Sequence, residues 1–267
     1  MTEKITTKIW DEVPEEDNPF AAKTCYCAGY DVYGDLLGKA SWSEYIYLLF
    51  KLEKPTRQQA ALLEGLAVVL ANPGLRDHSV RAAMNAGVGG STHASALMAA
   101  IAVGAGNLGG GRDVYWAVQY FQKCDRQIDQ WPSTVEYFSS QEVEVWPERE
   151  HIPGFDPNGS SCPLPIKQSL SYLISTYPEP ESHLQWLFNN RAALEETAGY
   201  PLAMSGLAAA VFLDLDLKPE QAEMLYMILR LPGAAAHALE QEKNGWRKYP
   251  FFGSGLVLTD DPNSASR

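Results

Sequence analysis

Ser41-Trp42-Ser43-Glu44-Tyr45-Ile46-Tyr47-Leu48-Leu49-Phe50 reads as a helix from its first residue. Ser41 and Glu44 have the spacing of a capping box, in which each side chain takes up a backbone N–H left free at a helix start. Tyr45, Leu48 and Leu49 continue at helical spacing. The device recurs downstream: Thr56 and Gln59 follow Pro55, and the run Ala60 to Leu70 ends at Asn72-Pro73-Gly74. Further helices are predicted over residues 81–86, 92–104, 112–125, 166–176, 181–198, 203–214, 219–229 and 234–243. The best strand candidates are only Thr6 to Trp10 and Leu256 to Leu258. The class is mainly α.

Between these helices, Pro and Gly concentrate over residues 147–165, which reads as a loop and the natural hinge or domain junction. The tail from Asp260 to Arg267 is expected to fray. The 267 residues are 46% hydrophobic and 20% charged, enough for a sizeable core in one large domain or two modest ones. With 21 basic and 33 acidic residues the net charge is −12, and the pI is near 4.9. Such a chain is a poor partner for nucleic acid, whose affinity comes mainly from cations meeting phosphates. An anionic membrane surface is disfavoured for the same reason, whereas a small anion needs only a few local arginines.

The four cysteines, Cys25, Cys27, Cys124 and Cys162, lack the spacing of a zinc knuckle, so no metal site is expected. The start Met1-Thr2-Glu3-Lys4-Ile5 has no apolar leader, and no run of 18 apolar residues occurs. The reading is a reduced, cytoplasmic protein.

Gly104-Ala105-Gly106-Asn107-Leu108-Gly109 satisfies the dinucleotide pattern G-x-G-x-x-G, with Asp125 about twenty residues on. That pattern should follow a strand. Here Ala96 to Ala102 is built of helix formers, so the preferred reading is a glycine-rich turn between helices. A nicotinamide-dependent enzyme stays as a remote alternative.

Five segments, taken in order, resemble the citrate synthase superfamily, above all its short citryl-CoA lyase-like members and the citryl-CoA lyase domain of ATP-citrate lyase. They are Gly29 to Phe50 with Lys54-Pro55-Thr56, Gly106 to Gly111, Ile152-Pro153-Gly154-Phe155, Ser205 to Asp214, and Arg230 to Gln241 with Gly245-Trp246-Arg247. The resemblance implies an almost entirely helical fold and a homodimer. It implies a large dimerising domain (1–150 with 203–267) and a smaller domain or cleft-covering segment (151–202).

Family members make or break a C–C bond next to a thioester, using two histidines and an aspartate. On this alignment the first histidine falls on Gly109, the second on Pro157 and the aspartate on Ser205. Arg230 and Arg247 align with arginines that bind ligand carboxylates, a task suited to a bidentate guanidinium. The plainer reading makes them helix-end arginines paired with acids such as Glu240 and Glu242. His237 lies on the same helix and reads as structural or ligand-binding. Asp156, Asn107 and Ser205 are the candidate catalytic replacements: a carboxylate for proton transfer, an amide donor, and a hydroxyl that needs a base such as His93. The plainer reading has Asp156 cap a turn and Ser205 cap a helix. Cys162 is a remote nucleophile with no evident base. Lys167 is the one cation carried by the loop after Pro157, thin provision for the phosphates of CoA.

The expected function is therefore diverged C–C bond chemistry on a carboxylate-bearing acyl thioester or an oxo or hydroxy acid. CoA enters as part of a substrate and not as a resident cofactor. The alternative is a non-catalytic paralogue that binds a metabolite or pairs with an active subunit.

Overall fold

The computed structural model describes residues 6–140 and 151–248. The tail and the candidate strand Leu256 to Leu258 lie outside the described residues. A small antiparallel sheet of β1 (Asp11–Pro14), β2 (Ala22–Cys27) and β3 (Tyr30–Asp31) opens the chain in that order. Residues 6–10, expected as a strand, are not one; the strand begins at Asp11, where Asp11 faces Tyr26 and Glu12 faces Cys25. The β-rich composition of 6–10 was overridden by pairing: β1 is the segment opposite β2, and the hairpin closes through Glu15 N–H to Ala21 O at 2.9 Å. On β2, Cys25 and Cys27 alternate inward with period two.

The helices are α1 (Trp42–Lys51), α2 (Arg57–Leu70), α3 (His78–Val88), α4 (His93–Gly104), α5 (Gly111–Cys124), α6 (Trp131–Ser139), α7 (Leu164–Thr176), α8 (His183–Ala198), α9 (Met204–Asp214) and α10 (Pro219–Asn244). Both capping boxes form, Ser41 with Glu44 and Thr56 with Gln59. The third helix starts earlier than residue 81 because Asp77 caps it through the amides of Ser79 and Val80.

The two helices predicted over 219–229 and 234–243 are one helix of 26 residues that carries Pro232 inside it. Proline removes one intrahelical hydrogen bond, which ordinarily breaks a helix. Here the next residue, Gly233, turns its N–H to the carbonyl of Ala71 at 2.7 Å. A Cβ on Gly233 would lie 2.6 Å from that oxygen, so only glycine lets α10 seat on the end of α2.

The main apolar cluster joins α2, α5, α7, α8, α9 and the first half of α10. Helix α9 runs through its middle, with every residue from Ser205 to Phe212 buried. Residues 151–202 share this cluster: Phe155, Leu170, Leu187 and Leu202 pack in it with Leu62, Phe121 and Leu207. A second cluster, of Val80, Ala83, Ala96, Ala100, Ala234 and Ala238, packs α3 and α4 on the second half of α10. Among the described residues no helix is long and apolar enough to cross a membrane.

Candidate functional site

A cleft of about 580 Å³ opens beside the main apolar cluster, whose Leu70, Phe155, Ile166 and Tyr226 line it. Its walls are the segment between α2 and α3, the turn between α4 and α5, residues 155–158, the start of α9, and Tyr226 and Arg230 of α10. Gly109, Asp156, Pro157, Ser205 and Arg230 all line it. Five positions spread from 109 to 230 in the chain therefore converge on one space.

Arg230 is 6% exposed, and a buried guanidinium demands partners. It has three. It is ion-paired to the carboxylate of Asp77, donates to Gly109 O at 3.1 Å, and stands 4.8 Å from the centre of the Tyr226 ring. Tyr226 Oη donates to the same Gly109 carbonyl at 3.1 Å. Burial pushes the Tyr226 phenol up to about 12, with the Arg230 charge opposing. The phenol thus stays a donor. Gly109 takes φ +65, the left-handed region that favours glycine, and this aims its carbonyl at α10.

The loop carrying Asp156 is held from both sides. Gly154 N–H donates to Asp113 Oδ1 of α5 at 3.2 Å, and Ala203 N–H donates to Gly154 O at 2.9 Å. Gly154 takes φ +87, and a Cβ on Gly206 would lie 2.4 Å from its oxygen. Loop and helix start touch through two glycines. Beneath them the buried His151 ring lies 3.4 Å (Nε2) from Asp113 Oδ1. Asp156 Oδ1 accepts the N–H of Asn158 at 2.9 Å, the Asx turn of the plainer reading, while the residue still lines the cleft. Ser205, second residue of α9 and 1% exposed, has no hydrogen-bond partner for its Oγ among the described residues.

Three expected site residues lie outside the cleft walls. Asn107 is exposed on the α4–α5 turn, whose Leu108 and Gly109 are the lining residues. His237 is half-buried, 3.2 Å from Asn72 Oδ1 and 3.4 Å from Glu240. Arg247 is exposed beyond α10, its guanidinium carbon 5.5 Å from the Trp246 ring centre. His93 pairs with Glu242 at 3.1 Å and not with Ser205. Cys162 is buried, and desolvation foremost, with Glu195 next, raises its thiol pKa, which disfavours the nucleophilic thiolate. Lys167 sits on α7 behind the lining residues Pro165 and Ile166.

Arg76, His78 and Tyr226 line the cleft and were not among the expected site residues. The signal for the first two was local: Arg76-Asp77-His78 sits between a Pro-Gly turn and a helix start, where polar side chains reach into clefts. Among the described residues no group of three or more His, Cys, Asp or Glu is placed to hold a metal ion. The glycine-rich segment 104–109 follows helix α4 and not a strand, so the context of a dinucleotide site is missing.

No family model matches the sequence, and no curated protein matches it. Solved structures do match. Citryl-CoA lyase from Hydrogenobacter thermophilus superposes with a TM-score of 0.74 at 20% identity, over 97% of this chain and 96% of that one. ATP citrate lyase from Methanothrix soehngenii, in complex with citrate and coenzyme A, gives 0.74 at 17% identity. This match covers 97% of the present chain and 42% of the longer one. Citrate synthase from Thermoplasma acidophilum gives 0.53 at 16% identity, over 85% and 60%. The chain has the citrate-synthase-like helical fold, in the form found in citryl-CoA lyase.

Proposed function

We propose that the cleft binds a carboxylate-bearing oxo or hydroxy acid, free or as its acyl thioester, and that the protein makes or breaks the C–C bond next to the thioester carbonyl. The observation that carries this reading is the convergence of Gly109, Asp156, Ser205 and Arg230 on one cleft in a fold shared with citryl-CoA lyase. A volume of about 580 Å³ is of the size that small-molecule sites have. The relative solved with citrate and coenzyme A supports the ligand class.

In this reading the Arg230 wall recognises a carboxylate. Asp77 already neutralises Arg230, and the Arg76 guanidinium beside it restores the positive balance an anion needs. Breaking the C–C bond leaves its electron pair as an enolate of the thioester, which needs donors at the oxygen and a proton at carbon. Asp77 is committed to Arg230 and to the cap of α3, so Asp156 is the carboxylate assigned to move the proton. Chemistry run this way is diverged, because Gly109, Pro157 and Ser205 stand where the family resemblance expects histidine, histidine and aspartate.

The working unit is a cytoplasmic homodimer. Support comes from α4, whose Met98, Ile101 and Val103 are exposed on a helix with no charged residue after His93. Exposed apolar faces of this kind mark protein contacts.

A second reading, a non-catalytic metabolite-binding paralogue, is favoured by the Asx turn that occupies Asp156 Oδ1. Turnover separates the two. Purified protein should cleave citryl-CoA or methylcitryl-CoA, or condense acetyl-CoA with an oxo acid, and Asp156→Asn should lower kcat about 100-fold or more. Binding of the acids without turnover of any thioester favours the paralogue.

A further inference from the structure

Ala203, Met204 and Ser205 line the cleft in succession, so the N-terminal end of α9 opens onto it. Helix α9 has no side-chain cap, because its N-cap residue is Ala203. The N–H of Ala203 is taken by Gly154 O, and the N–H of Leu207 is the first to bond within the helix, at Ala203 O. The amides between them, of Met204, Ser205 and Gly206, are first-turn donors with no acceptor among the described residues. Ser205 Oγ adds a fourth donor, buried and equally without a partner. Buried polar atoms are normally paired, so an orphan hydroxyl beside three free amides points to an acceptor that arrives from outside.

The charge at this end is also positive, because the helix dipole presents about half an elementary charge at its N-terminus. An aspartate here would cancel that field and fill the space with its own carboxylate. Serine does neither. We infer that Ser205 and the first turn of α9 form a carboxylate subsite that receives an acid group of the ligand. The ligand then carries two acid groups, one at α9 and one at the Arg230 wall. The inference rests on the reading that the cleft binds an acid, and it changes the task of this position from taking a proton to holding an anion.

Calorimetric titration of the full chain with succinate and butyrate tests it, using wild type, Ser205→Ala and Ser205→Asp. An acidic residue in the first turn suits the helix dipole, so the Asp variant should fold, and circular dichroism checks both variants. Wild type should prefer succinate to butyrate. Ser205→Ala should weaken succinate about tenfold, the loss of one hydrogen bond to a charged group, and Ser205→Asp should abolish the preference. Folded variants that bind succinate as tightly as wild type overturn the subsite and leave the acid-binding cleft standing. Failure of wild type to bind either acid overturns both.

Discussion

The Arg230 guanidinium on α10 is ion-paired to the Asp77 carboxylate 153 positions earlier in the chain. The pair does two jobs at once. It ties the start of α3 to the long helix that both apolar clusters share, and it sets a neutralised cation in the wall of the cleft.

Removing the acid should therefore cost more than a surface ion pair would. Asp77→Asn leaves Arg230 buried without its counter-charge and weakens the cap of α3. Urea denaturation should show a loss of about 3 kcal/mol, against less than 1 kcal/mol for an exposed pair such as Lys39 with Asp35. Equal small losses would mean that the pair is not structural.

Gly206→Ala probes the seat of the Asp156 loop. Alanine is the better helix former by about 1 kcal/mol, yet its Cβ would meet Gly154 O at 2.4 Å and Leu202 Cδ1 at 2.8 Å. The backbone clash should win, with a net loss of about 1–3 kcal/mol and weaker acid binding. A more stable Gly206→Ala variant would contradict this packing.

Burial of acidic protons gives stability a sign at high pH. Cys124 is pushed from 9.0 to about 11 and Tyr226 from 10.0 to about 12, in both cases chiefly by burial. The unfolded chain releases these protons first and so binds fewer, which makes stability fall as pH rises. The contribution is whole below pH 9 and is lost through pH 9 to 12. Urea midpoints at pH 8 and pH 11 check it, with Tyr226→Phe flattening part of the drop.

Charge on the exposed face of α4 should disperse the proposed homodimer. Met98 is 68% exposed and Ile101 40% exposed, and a glutamate at either place would put charge into an apolar contact. Light scattering behind size exclusion should read twice the chain mass for wild type and once for Met98→Glu. A monomeric wild type would remove the dimer.

The mainly α class was legible because its signals are local: capping boxes at Ser41 and Thr56, apolar spacing, and stop residues. What failed was what depends on remote partners. Pro232 looked like a break, since nothing in the sequence shows that Ala71 will accept the N–H of Gly233. Thr6 to Trp10 had strand composition, but the strand lies where β2 pairs. The helix Trp131–Ser139 went unread although Trp131, Val135 and Phe138 have helical spacing, because Pro132, at its first turn, and Ser133-Thr134 look like a break when read locally. At the site, the resemblance gave Asp156, Ser205 and Arg230, which line one cleft. It also gave Asn107, His237 and Arg247, which do not, and order along a chain does not tell which face a side chain takes. Arg76 and His78 needed the cleft to be seen.

The central claim, an acid-binding cleft walled by Arg230, is tested most directly by calorimetry with citrate, oxo acids and their CoA thioesters. Wild type and Arg230→Met are compared after both are shown to be folded. At least one acid or thioester should bind wild type and lose about 100-fold in affinity in Arg230→Met, the cost of a charged hydrogen-bonded contact. A folded Arg230→Met that binds the same ligand as tightly as wild type would contradict the claim.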